Sequence, residues 1–144
     1  MTAAFRIDVL TLFPGIFRGP LDETILRRAQ DAGLASIVLH DLREWAIDRH
    51  RTVDDYPFGG GPGMVMKPEP IFAAVEGIQS LAEPAATVVL LTPQGRQLDS
   101  EFVAELGACR RLLLICGRYE GVDERVREHL VDVELSVADV VLSG

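Results

Sequence analysis

Residues 48–64, DRHRTVDDYPFGGGPGM, place Arg49, His50, Arg51, Asp54 and Asp55 just ahead of Gly59, Gly60, Gly61, Pro62 and Gly63. Arginine clamps phosphate through its planar fork or stacks on a base, and carboxylates accept base N–H groups. Glycine lets a backbone approach a flat group closely. Ordering such a loop costs roughly 1–2 kcal/mol per residue, so a structured site must recover that cost. The segment 48–55 is nearly neutral and is no basic patch. On charge alone it reads equally as a solvated loop whose ion pairs contribute under about 1 kcal/mol each.

Three further stretches end apolar runs with glycine beside polar or aromatic residues: Thr92-Pro93-Gln94-Gly95, Cys116 to Gly121 (CGRYEG), and Ser136 to Gly144 (SVADVVLSG). Each alone reads first as a plain turn; three in register point to one pocket. The common nucleotide signatures are missing. No G-x-G-x-x-G follows a predicted strand, and Lys67 sits between Met66 and Pro68 rather than in a phosphate loop. Zinc is not expected, because His40, His50 and His129 are far apart and Cys109 and Cys116 lack C-x-x-C spacing. There is no G-x-S-x-G elbow for a nucleophilic serine. What survives is a cofactor held largely by backbone hydrogen bonds, with no metal.

The elements that must position these loops alternate strand and helix, the pattern of a parallel α/β sheet. Strands are predicted at 5–12, 35–40, 86–95 (ending in TPQG), 110–121 (ending in GRYEG) and from 131. Helices are predicted at 21–33, with Asp22 as N-cap and Gly33 ending it, at 68–82 with proline at its start, at 99–108 and at 122–130. A short helical turn is predicted at DLREWA. The ligand belongs off the carboxyl ends of the strands. Trp45, Phe13, Phe17 and Phe72 read as packing residues, and Met64 and Met66 as gap-fillers.

The chain has 144 residues, which predicts one domain over 1–144 with a core of its own. Its formal net charge of −8 weighs against a general nucleic-acid coat, though not against an enzyme that meets RNA through one patch. No apolar run reaches the roughly 20 residues of a membrane span, and Asp8 interrupts the N-terminal apolar run, unlike a signal peptide. The two cysteines read as buried thiols in a reducing cytoplasm. The terminal ADVVLSG reads as the run-up to another element, so the chain is expected to be a fragment of a longer protein.

DRHRTVDDYPFGGGPGMVM, LTPQGRQLD, LLLICGRYEGVDERV and SVADVVLSG together resemble the bacterial tRNA (guanine-N1)-methyltransferases, the TrmD type of the SPOUT superfamily. The likeness runs from LTLFPGIF to the last residue. It implies a mostly parallel α/β sheet with helices on both faces and a trefoil knot, which is not complete if the closing helix is absent. Pattern reading alone gives an unknotted sheet. The resemblance also implies S-adenosylmethionine as methyl donor, tRNA as substrate at N1 of the guanosine 3′ of the anticodon (position 37), and a cytoplasmic homodimer with its active site at the subunit interface.

Carried over, the cofactor pocket comprises Leu91, Thr92, Pro93, Gln94, Gly95, Cys116, Gly117, Tyr119, Glu120, Gly121, Ser136, Val137, Ala138, Val140, Leu142 and Gly144. Tyr119 would stack on adenine or cap the pocket. The RNA-facing set is Arg49, His50, Arg51, Asp54, Gly59, Gly60, Gly61, Pro62, Gly63 and Met64, the glycines lining a slot for the base. Asp54 and Glu120 are the catalytic candidates. Glu120 would orient a partner-subunit arginine or a substrate group, or else pair with Arg118 or Arg125. The general base, a nearby arginine and the C-terminal tRNA-binding domain are expected beyond these 144 residues. Two alternatives accompany this reading: a catalytically silent cofactor- or RNA-binding module, and a SPOUT methyltransferase acting on another RNA. The long HRTVDDYPFGGGPGM loop argues against the last.

Overall fold

The computed structural model describes residues 5–46, 52–55, 65–117 and 121–138. Five strands form one sheet: β1 (Phe5–Thr11), β2 (Ala35–Asp41), β5 (Thr87–Gln97), β6 (Arg111–Cys116) and β7 (Val133–Ser136). Their spatial order is β2-β1-β6-β5-β7, and every pairing is parallel. All five carboxyl ends therefore open on one rim. The link from β6 to β7 must cross β5, which lies between them.

Side-chain alternation builds two cores. Leu10, Val88, Leu90, Leu113 and Ile115 face helix α3 (Pro68–Gln79) and helix α5 (Glu124–His129), which contribute Ile71, Ala74, Val75, Ile78 and Val126. Val89, Leu112 and Leu135 face the other way, onto Phe102 and Leu106 of helix α4 (Ser100–Gly107). Burial on both faces is why these strands read as continuous apolar runs. Asp99 and Asp123 cap α4 and α5, their carboxylates accepting from Phe102 N and Arg125 N. Trp45 ends a 3-10 turn (Leu42–Trp45) and packs on the first core, as does Phe72.

The predicted helix over 21–33 is two helices. Helix α1 spans Gly15–Leu21 and α2 spans Thr24–Asp31; Asp22 closes α1 instead of opening α2. Gly15, Gly19 and Pro20 hid α1 in the sequence, because all three disfavour helix interiors. Gly33 does end α2's turn, with φ +73. β5 also runs past Gly95 to Gln97, because the chain rejoins the sheet after TPQG.

Beneath α3 the sheet buries an ionic cluster. Arg111 Nε donates to Asp8 Oδ2 at 3.1 Å, and both side chains are fully buried. The Arg111 guanidinium also donates to the carbonyls of Ile78, Gln79, Ala82 and Pro84, satisfying the end of α3. His40 Nε2 meets Asp8 Oδ1 at 2.8 Å, and Arg6 donates to both carboxylate oxygens at 3.0 Å. Burial works to raise the Asp8 pKa, but hydrogen bonds from His40, Arg6 and Arg111 outweigh it and hold the carboxyl at about 2.

Candidate functional site

Four strand ends cup a cavity of about 260 Å³ on the carboxyl rim. β5 supplies Leu91, Thr92 and Pro93; β6 supplies Cys116 and the following Gly117; β7 supplies Leu135, Ser136 and the following Val137. The fourth wall is the end of β1 and its exit into α1: Thr11, Leu12, Phe13, Ile16 and Phe17. An open parallel sheet binds ligands at this rim, where strand order departs from chain order.

The β5 wall is a bulge. Leu91 and Arg96 both pair with Leu135, so residues 92–95 loop out of the ladder before Gln97 pairs with Ser136. Within the loop the Thr92 hydroxyl donates to Gln94 Oε1 at 2.6 Å, and the Gln94 N–H donates back to Thr92 Oγ1 at 3.4 Å. The β7 wall turns through Ser136, whose hydroxyl donates to the Ala138 carbonyl at 2.7 Å. The β1 wall is held from behind by Arg43. Its guanidinium donates to Leu12 O at 2.7 Å and lies 5.5 Å from the Phe13 ring centroid.

The described lining is apolar, with hydroxyls at Thr11, Thr92 and Ser136 and no charged side chain. Burial pushes the Cys116 thiol up to about 11, so it stays protonated near neutral pH. Both cysteines are free and half-buried, less enclosed than the sequence suggested. Among the described residues no group of three His, Cys, Asp or Glu stands together to hold a metal ion.

Of the sequence-predicted cofactor residues, Leu91, Thr92, Pro93, Cys116, Gly117, Ser136 and Val137 line this cavity. Gln94, Gly95, Gly121 and Ala138 lie on the same loops but not on its wall. Phe13 and Phe17 were expected in the core; they line the cavity instead, and Phe13 is 41% exposed. The signal that would have found this wall is TLFPG at the end of β1, to which the same strand-end rule applies.

Asp54 lies apart from the cavity on a two-residue strand, β3 (Asp54–Asp55), paired antiparallel with β4 (Val65–Met66). Met66 also bridges to Val122, its N–H donating to Gly121 O at 2.9 Å and its carbonyl accepting from Asp123 N at 3.1 Å. β4 thus ties the segment entering α3 to the segment that leaves the β6 loop. Gly121 has φ +133, a conformation that favours glycine. Arg49, His50, Arg51, Gly59, Gly60, Gly61, Pro62, Gly63, Met64, Tyr119, Glu120, Val140, Leu142 and Gly144 lie outside the described residues.

A parallel α/β sheet with an apolar rim cavity, walled by strand ends and glycine-containing turns, places the chain in the open-sheet α/β class. A model of the family described as tRNA (Guanine-1)-methyltransferase TrmD matches residues 5–144, and the chain belongs to that family. It is 59% identical over 139 residues to the tRNA (guanine-N(1)-)-methyltransferase of Chloroflexus aggregans, covering 96% of this chain and 54% of that protein. The protein of the same name from Geobacter sulfurreducens is 52% identical over 139 residues, with 96% and 56% covered. The crystal structure of the tRNA (m1G37) methyltransferase from Aquifex aeolicus superposes with a TM-score of 0.86 at 41% identity, covering 96% of this chain and 62% of that one. The chain spans about half the length of the curated relatives it matches.

Proposed function

We propose that residues 1–144 are the N-terminal cofactor-binding domain of an S-adenosylmethionine-dependent tRNA (guanine(37)-N1)-methyltransferase. The observation that carries this is the convergence of Thr92-Pro93, Gly117 and Ser136-Val137 on one rim cavity. Family membership and the names of the relatives supply the reaction.

The cavity's chemistry fits this cofactor. Leu91, Pro93, Leu135 and Val137 offer flat apolar surface to a purine and to methylene groups, and the hydroxyls of Thr11, Thr92 and Ser136 offer hydrogen bonds. No described lining carboxylate competes for the transferred methyl. When bound, S-adenosylmethionine supplies an electrophilic sulfonium methyl. The chain's own residues bind and orient: the β5, β6 and β7 ends hold the donor while Phe13, Ile16 and Phe17 keep water from its flank. Residues 49–51, Asp54 and 59–64 are assigned to the RNA, with the glycines receiving the base. Asp54 and Glu120 are catalytic candidates beside a general base supplied from beyond this span. That base matters because a neutral guanine N1 has no free lone pair for attack; general-base assistance is worth about 10²–10⁴-fold.

The same reading includes a trefoil knot, a cytoplasmic location and a homodimer with shared active sites. Exposed Ile16, Ile25, Leu26 and Leu34 support the dimer, since neither α1 nor α2 has a buried residue. Among the described residues no helix is long and apolar enough to cross a membrane. The test uses the full-length protein with labelled S-adenosylmethionine and a tRNA whose nucleotide 3′ of the anticodon is guanosine. Label is expected on that tRNA and not on a counterpart with adenosine in its place; equal labelling of both rejects the assignment.

A further inference from the structure

Gly95 does not touch the cavity, yet a side chain there has no room. A Cβ would fall 2.5 Å from Leu135 N, 2.6 Å from Glu134 C and 2.8 Å from Glu134 O. All three are backbone atoms of β7, which cannot swing aside as a flexible side chain does. The TPQG bulge therefore leans directly on the peptide that links Glu134 to Leu135. The next residue fastens the bulge to β7 and to α4. Arg96 pairs with Leu135 in the ladder, its guanidinium lies 4.2 Å from the Phe102 ring centroid, and it forms a two-pronged ion pair with Glu105 at 2.7 and 3.1 Å. Leu98 N then donates to Ser136 O at 2.8 Å.

We propose that Gly95 and Arg96 are positioning residues for the cofactor: Gly95's contact with β7 and Arg96's clamp on α4 set the curvature that presents Thr92 and Pro93 to the cavity. The inference rests on the cofactor reading above and deepens it. Gly95 leaves the set of direct contacts and becomes the pivot of the loop that makes them. Because β7 carries Leu135, Ser136 and Val137 into the same cavity, this contact fixes the spacing of two walls at once. Adding a methyl group at residue 95 must separate β5 from β7 and widen the cavity between Pro93 and Val137.

The experiment compares full-length wild type, Gly95→Ala, Arg96→Lys and the control Gly107→Ala, whose added Cβ meets nothing within 4 Å. S-adenosylmethionine is the probe, by calorimetry and by steady-state kinetics. Gly95→Ala is expected to weaken binding roughly tenfold or more, the scale of forcing an extra methyl into a close-packed contact. KM for the cofactor should rise while KM for tRNA and kcat at saturating cofactor hold. Arg96→Lys keeps the charge but loses the planar fork, and is expected to give a smaller rise in the same constant, about threefold. Gly107→Ala should match wild type. If Gly95→Ala fails to fold, Arg96→Lys decides, and a cofactor KM equal to wild type in that variant overturns the inference. A folded Gly95→Ala that binds like wild type overturns the inference. So does a loss shared equally by Gly107→Ala, or a fall in kcat with KM unchanged. Wild type that binds no S-adenosylmethionine overturns the cofactor reading and this inference together.

Discussion

The sheet treats its two working regions in opposite ways. Beneath α3, Asp8, Arg111, His40 and Arg6 are locked together, and the Arg111 guanidinium also satisfies four main-chain carbonyls. At the carboxyl rim, a few residues along the same strands, the described lining carries no charge, and its hydroxyls bond to groups two residues away. β1 and β6 serve both regions: Asp8 and Arg111 at one level, Thr11 and Cys116 at the other. The buried ions fix how these strands sit under α3, because their groups are costly to separate. The rim has apolar walls and turns whose polar partners come from short-range loops. A ligand can supply contacts at the rim, whereas none is needed below. Stability and binding should therefore respond to different residues.

The largest effect is expected from Asp8→Asn. It leaves Arg111 buried without its counter-charge, which typically costs about 3–5 kcal/mol. Denaturant unfolding measures it, and cofactor affinity in the fraction still folded should change little. A loss below about 1 kcal/mol would erase the contrast between the regions, as that is the scale of an exposed pair.

Acid sharpens the same contrast. Asp8 ionises at about 2 in the folded chain against an ordinary 3.8. Between these values the unfolded chain binds the extra proton, so stability falls as pH drops from about 4 to about 2. The loss from this group is about 2 kcal/mol. Unfolding midpoints in that window should flatten in Asp8→Asn; an unchanged acid limb places the titrating group elsewhere.

The smallest effect belongs to the rim. Cys116 is raised to about 11 by burial, so its alkylation at pH 8 should be slow and should accelerate as pH approaches 11. S-adenosylmethionine should slow it further, and Cys116→Ala should cost no more than about 1 kcal/mol of stability. Fast labelling at pH 8 that the cofactor leaves unchanged would remove Cys116 from the pocket.

Much of the rim was legible in the sequence because its signals are local. Apolar runs ended by TPQG, CG and SV mark strand ends, and the strand-end rule converts them into one pocket. The β1 wall carries the same signal in TLFPG, but the aromatic character of Phe13 and Phe17 favours a core reading. The ionic cluster had no local signal: Asp8 is 32 residues from His40 and 103 from Arg111. Only the strand order brings them together. The split between α1 and α2 is also hidden, because Gly19 and Pro20 argue against a helix in the stretch where α1 forms. In the sequence the bulge at 92–95 looks like the end of a strand, since nothing local shows that Arg96 returns to pair with Leu135.

Amide hydrogen exchange of the full-length protein, with and without S-adenosylmethionine, tests the central claim most directly. Added protection is expected at 91–97, 116–117 and 135–138, with 78–84, at and beyond the end of α3, unchanged. Binding that protects 78–84 and leaves the three strand ends untouched would contradict it.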